Sequence, residues 1–234
     1  MKQRVKIASL TWMLMLAGGL VSECGAVDNT INSYSQAKQI AEVQHNGYAV
    51  HFIKNPSEKV QLAAVKQSGY AINCIKDPSE KVQLAAVKQS GYSIQYIKHP
   101  SQKVELAAVK QNGEAIEFIA NPSEEVQMAA LEQTKEAFHV IKHPSRTVQI
   151  AAVKHNGETI RFINNPSKEV QLAAVKKSGV TIRYIKKPSK EVQLAAVKQN
   201  GYAIQYIEDP SKEIELAAMQ QNGDVSLILK SHHL

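Results

Sequence analysis

The residues best suited to chemistry are lysines that recur every 22 residues along most of the chain. One row comprises Lys66, Lys88, Lys110, Lys154, Lys176 and Lys198. A second row comprises Lys54, Lys76, Lys98, Lys142 and Lys186. If each lysine sits on one of a stack of helices about 8–10 Å apart, the rows become ladders of positive charge. Such ladders would attract an acidic polymer or a headgroup surface, and the alternative is a solvated face copied by duplication.

Aromatic side chains form a further row that could contact a ligand. Its members are Tyr48 with Phe52, Tyr92 with Tyr96, Tyr202 with Tyr206, and the single residues Phe118, Phe162 and Tyr184. Residues four apart share one face of an α-helix, so we expect each pair to act together. These rings either seal the joints between repeats or meet a partner, and the tyrosine hydroxyls favour partial exposure.

Glutamine occupies a third repeated position, between two apolar sectors. Its members are Gln61, Gln83, Gln127, Gln149, Gln171 and Gln193, with Glu105 and Glu215 in register. Amides repeated at one position of a stack are typical of a hydrogen-bond network, so we predict hydrogen bonding along the stack.

Catalytic and metal-binding patterns are absent from the sequence. Of the eight histidines, His139 and His143 are four apart, but Pro144 follows and makes a shared helix face doubtful. No nucleophile elbow, phosphate-binding loop or pair of acids appears. Cys74 fills a position that is aromatic in other repeats, which favours a packed thiol over a reactive one. We therefore predict no enzyme activity, no cofactor and no metal.

The element that positions all these residues is a 22-residue repeat, Pro56 to Asp77, written about nine times. All eight prolines keep this period: Pro56, Pro78, Pro100, Pro122, Pro144, Pro166, Pro188 and Pro210. A glycine follows each proline by thirteen residues, except at Lys135. A fixed period of this length indicates a solenoid, because one unit cannot bury its apolar face alone.

Each repeat predicts two helical elements. A first helix of about 13 residues should begin at the proline, with the preceding Asn55 or Asp77 as its cap. The glycine should end that helix by supplying a left-handed residue. Ile72 and Ile75, three apart, predict a short second helix that is partly 3₁₀. The fold class is therefore all-α, a right-handed αα-solenoid of about nine helix–turn–short-helix units.

The repeated pattern V-x-L-A-A-V-K-x-x-G resembles the short α-repeat families of bacteria, over about residues 33–230. Among these is a family of unknown function with a similar Ala-Val-Lys-Gln-Asn-Gly core. More distantly the pattern is similar to HEAT-like and leucine-rich-repeat-variant solenoids. The resemblance implies the fold and hardly constrains the function. The similarity to leucine-rich-repeat-variant solenoids implies no metal-cluster site here, because the cysteines that would bind a cluster are absent from this sequence.

The N-terminus differs from the repeat. Residues 1–26 have a basic start, an apolar middle and a small-residue end, which predicts a secretory signal cleaved near Ala26. A retained anchor and a lipoprotein attached at Cys24 are the alternatives, and Glu23 argues against the second. Residues 27–32 read as a linker and 33–234 as one solenoid domain with atypical units at both ends. We expect an exported protein, periplasmic or secreted.

Charge and pattern together favour a binding protein. The chain carries a formal +7, or +5 once residues 1–26 are removed, which is mildly basic and does not require nucleic acid. The first hypothesis is a protein- or peptide-binding or scaffolding module, and the alternative is attachment to an acidic envelope polymer or lipid surface. The fifth unit departs most, and the middle of the chain is acidic, with Glu114, Glu117, Glu124, Glu125, Glu132 and Glu136. This middle could dock a bipolar partner, support head-to-tail pairing, or reflect drift.

Overall fold

Within residues 29–225 the protein is an α-solenoid in which nine α-helices follow one another at the repeat spacing. The structure, a computed structural model, describes residues 29–225. The helices are α1 Gln36–His45, α2 Glu58–Gln67, α3 Glu80–Gln89, α4 Gln102–Gln111, α5 Glu124–Gln133, α6 Arg146–His155, α7 Lys168–Lys177, α8 Lys190–Gln199 and α9 Lys212–Gln221. Each helix has ten residues, shorter than the predicted thirteen, and packs on the helix of the next unit.

A 3₁₀ helix follows each of the first eight α-helices. These are η1 Gly47–Phe52, η2 Gly69–Cys74, η3 Gly91–Tyr96, η4 Gly113–Phe118, η5 Lys135–His139, η6 Gly157–Phe162, η7 Gly179–Tyr184 and η8 Gly201–Tyr206. No strand occurs within residues 29–225. The second element of each repeat is thus entirely 3₁₀, which suits its length because runs of 3₁₀ are short. A further 3₁₀ turn, Asn29–Ser33, precedes α1, and Asn32 bonds to the backbone of Phe52 and Lys54.

The predicted position of the helix caps was wrong. The serine after each proline is the cap: Ser57 accepts a hydrogen bond from the Val60 N–H, and α2 begins at Glu58. Asn55 and Asp77, predicted as caps, instead have φ of 57° and 47°. Asparagine and aspartate tolerate this left-handed conformation, so they form the turn that leads into the proline.

The predicted role of the glycines was also wrong. No glycine in the described chain has positive φ, and the helix-ending Ser68 is extended, with φ −145°. The glycines allow close approach between units instead. A Cβ on Gly91 would lie 2.6 Å from the Ala108 carbonyl oxygen of the next unit. Glycine is therefore needed because two units touch there, not because the helix ends there.

The core runs continuously along the stack. In each regular unit two valines and an alanine of the α-helix are buried, as Val60, Ala64 and Val65 show in α2. Ile72 from the 3₁₀ helix and Ile75 just after it complete the layer. Leu62 and Ala63 are only partly buried and reach the surface.

One joint in the stack is looser than the rest. Between the fifth and sixth units, α5 and α6 pack less closely than other neighbouring α-helices, and η5 barely meets α6. Lys135 stands where other units have glycine, and its Nζ turns back to donate to the Leu131 carbonyl. His155 stands where most units have glutamine. Because Lys135 and His155 replace the glycine and glutamine of the regular joints, the backbones of the fifth and sixth units do not approach as closely as those of other neighbouring units.

The predicted signal segment, residues 1–26, and the end of the atypical last unit, residues 226–234, lie outside the described residues. Within residues 29–225, every helix is too short or too polar to cross a membrane.

Candidate functional site

The most suitable site is a strip of side chains that each α-helix presents to solvent. In α2 the strip consists of Lys59, Leu62, Ala63 and Lys66, which are spaced i, i+3, i+4 and i+7 and so share one face. The two lysines are exposed, while Leu62 and Ala63 are half-buried. From α2 to α9, each α-helix therefore contributes an apolar centre with a polar residue at each end.

Side by side, the strips of α2, α3 and α4 form two continuous grooves. A groove of about 620 Å³ lies between α2 and α3, with Leu62, Leu84 and Ala85 on its floor. A second, of about 830 Å³, lies between α3 and α4, with Leu84, Leu106 and Ala107 on its floor. The grooves share Leu84, so together they form one surface across three units. We call it the N-terminal groove.

Lysines border the N-terminal groove on both sides. Lys66, Lys88 and Lys110, from the first predicted row, line one border. Lys81 and Lys103 line the other border. The structure thus brings half of this predicted lysine row together with an apolar floor.

Ion pairs between units organise the second border. Lys81 pairs with Glu58 at 2.7 Å, and Lys103 pairs with Glu80 at 3.1 Å. These bonds hold the pKa of each glutamate below its usual value, chiefly through the hydrogen bond from the lysine. All four side chains are well exposed, so the pairs orient the lysines more than they stabilise the fold.

The polarity of these pairs reverses in the C-terminal half. There the first helical residue is basic and the second is acidic, so Lys168 pairs with Glu191, and Lys190 with Glu213 at 2.6 Å. Glu169, Glu191 and Glu213 consequently occupy the strip position held by lysine in α2, α3 and α4. The strips of α7 and α8 therefore have lysine at one end only, at Lys176 and Lys198.

The predicted aromatic residues lie on the 3₁₀ helices and line neither groove. Apart from the contact of Phe52 with the adjacent His51, their ring contacts run between units: Tyr70 meets Tyr96 at 6.1 Å between centroids, and Tyr92 meets Phe118 at 5.8 Å. No ring contact joins the two members of the predicted i,i+4 pairs among the described residues. The reason is that 3₁₀ geometry places i and i+3, not i and i+4, on one face.

Some of these rings are sealed into joints and others remain open. Burial and a hydrogen bond to Glu114 raise the pKa of Tyr92 to about 12. In contrast, four are more than a third exposed: Phe118, Phe162, Tyr202 and Tyr206. Arginines cover part of this edge, since Arg161 stacks over Phe162 and Arg183 over Tyr184. Tyr48 and Phe52, in the first unit, are half-buried.

The predicted glutamine network runs differently from the expectation. Gln61 donates to the Pro56 carbonyl of its own unit at 2.8 Å, and Gln83, Gln149, Gln171 and Gln193 do the same with their prolines. These bonds satisfy the proline carbonyl at the start of each helix, within one unit. Gln127 makes the same bond and also reaches the next unit, where its Oε1 accepts a hydrogen bond from the Ser145 N–H at 3.0 Å. A different row, which includes Gln67, Gln89 and Gln111, accepts bonds from the glycine of the preceding unit.

The loose joint holds a small cavity of about 230 Å³. Lys135, Glu136, His139 and His155 are among its lining residues. The His139 ring meets Phe162 edge-on, with centroids 4.6 Å apart. Thr134 donates to Glu136, and this bond is the main cause of the lowered pKa of that carboxyl.

Within residues 29–225, no group of three or more histidine, cysteine or acidic side chains could hold a metal ion. Burial raises the pKa of the half-buried Cys74 thiol, which makes it less reactive.

Sequence reasoning missed the apolar floor, Leu62, Leu84 and Leu106, and the bordering Lys81 and Lys103. The signal was present: Lys-x-x-Leu-Ala-x-x-Lys recurs in α2, α3 and α4 with the spacing of one helix face. Comparison with known proteins adds no assignment, since no family model, curated protein or solved structure matches this chain.

Proposed function

We propose that the protein is a non-enzymatic binding scaffold that holds a protein or peptide along its α-helical strips. The observation that carries this proposal is the row of half-buried apolar residues that crosses the N-terminal groove. Leu62, Leu84 and Leu106 contact the core on one side and line open grooves on the other. A continuous apolar row with a polar rim is typical of a surface that binds another chain.

Three finer points belong to the same proposal. The chain is a member of the bacterial short α-repeat family that its repeat core resembles. Its superhelix is right-handed. It is exported to the periplasm or medium after cleavage near Ala26 and has no catalytic site.

Site-specific photo-crosslinking in the native cells tests binding. A photoreactive phenylalanine analogue replaces Leu84 in one variant and Tyr96, on η3, in a matched control. We expect a discrete protein adduct from position 84, because that side chain lines both grooves. If neither position gives a protein adduct, the proposal is contradicted. An adduct from position 96 alone would move the partner to the aromatic edge.

A second candidate function is attachment to an acidic polymer or lipid surface. The observation in its favour is that Lys154, Lys176 and Lys198 continue the exposed row beyond the N-terminal groove. Such binding would be lost above about 0.5 M salt, where screening lengths fall to a few ångströms. Sedimentation with isolated envelope material at low and high salt measures this. If the amount of protein that sediments with the envelope material is the same at low and high salt, the second candidate function is excluded.

A further inference from the structure

The first three regular units have a charge pattern that selects a particular kind of partner. Lys66, Lys88 and Lys110 have no ion-pair partner among residues 29–225. They lie along one border of the N-terminal groove, so their charge is available to a ligand. An anionic group placed there would be attracted to three ammonium groups in a row.

The far end of the groove is acidic. In α5 both strip lysines are replaced by glutamates, Glu125 and Glu132. Glu125 lines the end of the groove and accepts a hydrogen bond from Gln102 at 2.7 Å. An acidic ligand would be repelled from this unit, so the attractive surface that begins at α2 ends at α4.

We propose that the N-terminal groove binds an acidic peptide segment whose apolar side chains rest on Leu62, Leu84 and Leu106. This inference rests on the proposed function and specifies the partner. Its acidic groups face Lys66, Lys88 and Lys110, and its apolar groups fill the spaces between helices. A purely anionic polymer or a flat membrane would use the lysines but leave the recessed leucines uncovered.

The spacing of the floor sets the spacing of the ligand. Neighbouring helices lie about 8–10 Å apart, and a peptide in the polyproline II conformation advances about 3.1 Å per residue with three residues per turn. Every third side chain therefore lies on one face of the peptide and meets one helix after another. A segment of about six residues spans the distance from α2 to α4 on the same arithmetic.

Fluorescence anisotropy with a designed probe tests the inference. The probe is a fluorescein-labelled peptide of four Glu-Leu-Glu triplets, titrated with the full exported chain. We expect it to bind, and we expect the triple variant K66E/K88E/K110E to bind about tenfold more weakly. The matched control is K154E/K176E/K198E, which reverses the same helix position in α6, α7 and α8. It should change the affinity by less than about twofold, because those lysines lie beyond the groove. Circular dichroism checks that both variants keep their helices.

Two further probes test whether binding requires apolar side chains on the groove floor or only negative charge. A peptide of four Glu-Ser-Glu triplets should bind at least about tenfold more weakly than the leucine peptide, because it cannot fill the floor. Equal affinity of the two peptides, or equal loss in both triple variants, would overturn the inference in favour of general polyanion binding. Phosphatidylglycerol vesicles that bind through Lys66, Lys88 and Lys110, with no peptide binding, would overturn it in favour of a lipid surface.

The inference and the proposed function fail in different ways. A protein adduct at position 84 together with no binding of the acidic peptide would leave a binding scaffold with a different partner. No adduct and no peptide binding would contradict both.

Discussion

The amide N–H of Gly91 donates a hydrogen bond of 2.6 Å to Oε1 of Gln111, twenty residues later in the next unit. The same bond joins Gly47 to Gln67 and Gly69 to Gln89. It ties the start of six of the eight 3₁₀ helices η1 to η8 to the end of the following α-helix, and η5 and η6 are the exceptions. These bonds, with the close backbone approach at the glycine, define how one unit sits on the next.

Replacing Gly91 with alanine should destabilise the stack by about 1–3 kcal/mol. The new Cβ would lie 2.6 Å from the Ala108 carbonyl oxygen, and backbone cannot yield as a flexible side chain can. Urea unfolding followed by circular dichroism measures the change in the free energy of unfolding. Gly223→Ala is the matched control, because a Cβ there meets nothing within 4 Å. A loss of stability in both variants would mean that glycine flexibility, not contact, matters.

The loose joint should tighten when the repeat pattern is restored. Lys135→Gly with His155→Gln restores the glycine that permits close approach and the glutamine acceptor of the regular joints, and we expect a gain of about 1–2 kcal/mol. His155→Gln alone should gain little, because the Lys135 side chain still keeps the units apart. Hydrogen exchange of η5 amides should slow in the double variant only.

The neighbouring joint provides the control for that experiment. Gly157 is present there, but Lys177 replaces the glutamine acceptor. Lys177→Gln alone should therefore stabilise by about 1 kcal/mol. Additive effects of the two single changes at 135 and 155 would contradict the idea that they act as a pair.

Glu105→Gln should stabilise the fourth unit by about 1 kcal/mol. Glutamines at this position donate to the proline carbonyl of their unit, as Gln83 does to Pro78 at 3.0 Å, and an ionised carboxylate cannot donate. Gln83→Glu, the reverse change, should cost a similar amount. Thermal unfolding of the two variants compares them.

The pH dependence of stability gives a second readout for Glu105. Burial raises the pKa of this carboxyl in the folded state. The folded chain therefore binds the proton more tightly than the unfolded chain, and Glu105 opposes folding at pH above the raised pKa. That penalty disappears as the pH falls through the raised pKa, so the wild type should gain stability relative to Glu105→Gln there. A difference between the two proteins that stays constant with pH would contradict the burial of this carboxyl.

Ser93→Ala should raise stability by about 1 kcal/mol. The Ser93 side chain is fully buried, and its Oγ has no hydrogen-bond partner among the described residues. A buried hydroxyl without a partner costs free energy, and alanine fills this position in other units, as at Ala71 and Ala115. Thr181, at the same position, donates to the Ser178 carbonyl at 2.7 Å, so Thr181→Ala should not stabilise. Chemical denaturation distinguishes the two.

The sequence predicts the period, the helical character and the stacking of units, because these follow from local patterns and one regular repeat. Predictions were wrong for residues whose role depends on contacts with the neighbouring unit. Gly91 looks like a helix stop when only its own unit is considered, but its role depends on the Ala108 carbonyl. Tyr92 was paired with Tyr96 by α-helical spacing, whereas the structure pairs it with Phe118.

The site was predictable in part for the same reason. Lys66, Lys88 and Lys110 stood out as a repeated charge, and they do line the N-terminal groove. Leu84 was not singled out, because repetition alone cannot distinguish a buried row of leucines from a half-buried one. Predicting the groove requires the relative positions of three successive helices, and the sequence of a single repeat does not contain this information.

The most direct test of the binding scaffold is a map of the ligand on the leucines. With methyl-labelled leucine, nuclear magnetic resonance follows each leucine as the Glu-Leu-Glu peptide is added. We predict that the methyl signals of Leu62, Leu84 and Leu106 shift together, while those of Leu172 and Leu194 in α7 and α8 stay in place. Equal shifts along the whole row, or shifts confined to residues outside α2, α3 and α4, would contradict the N-terminal groove as the binding site.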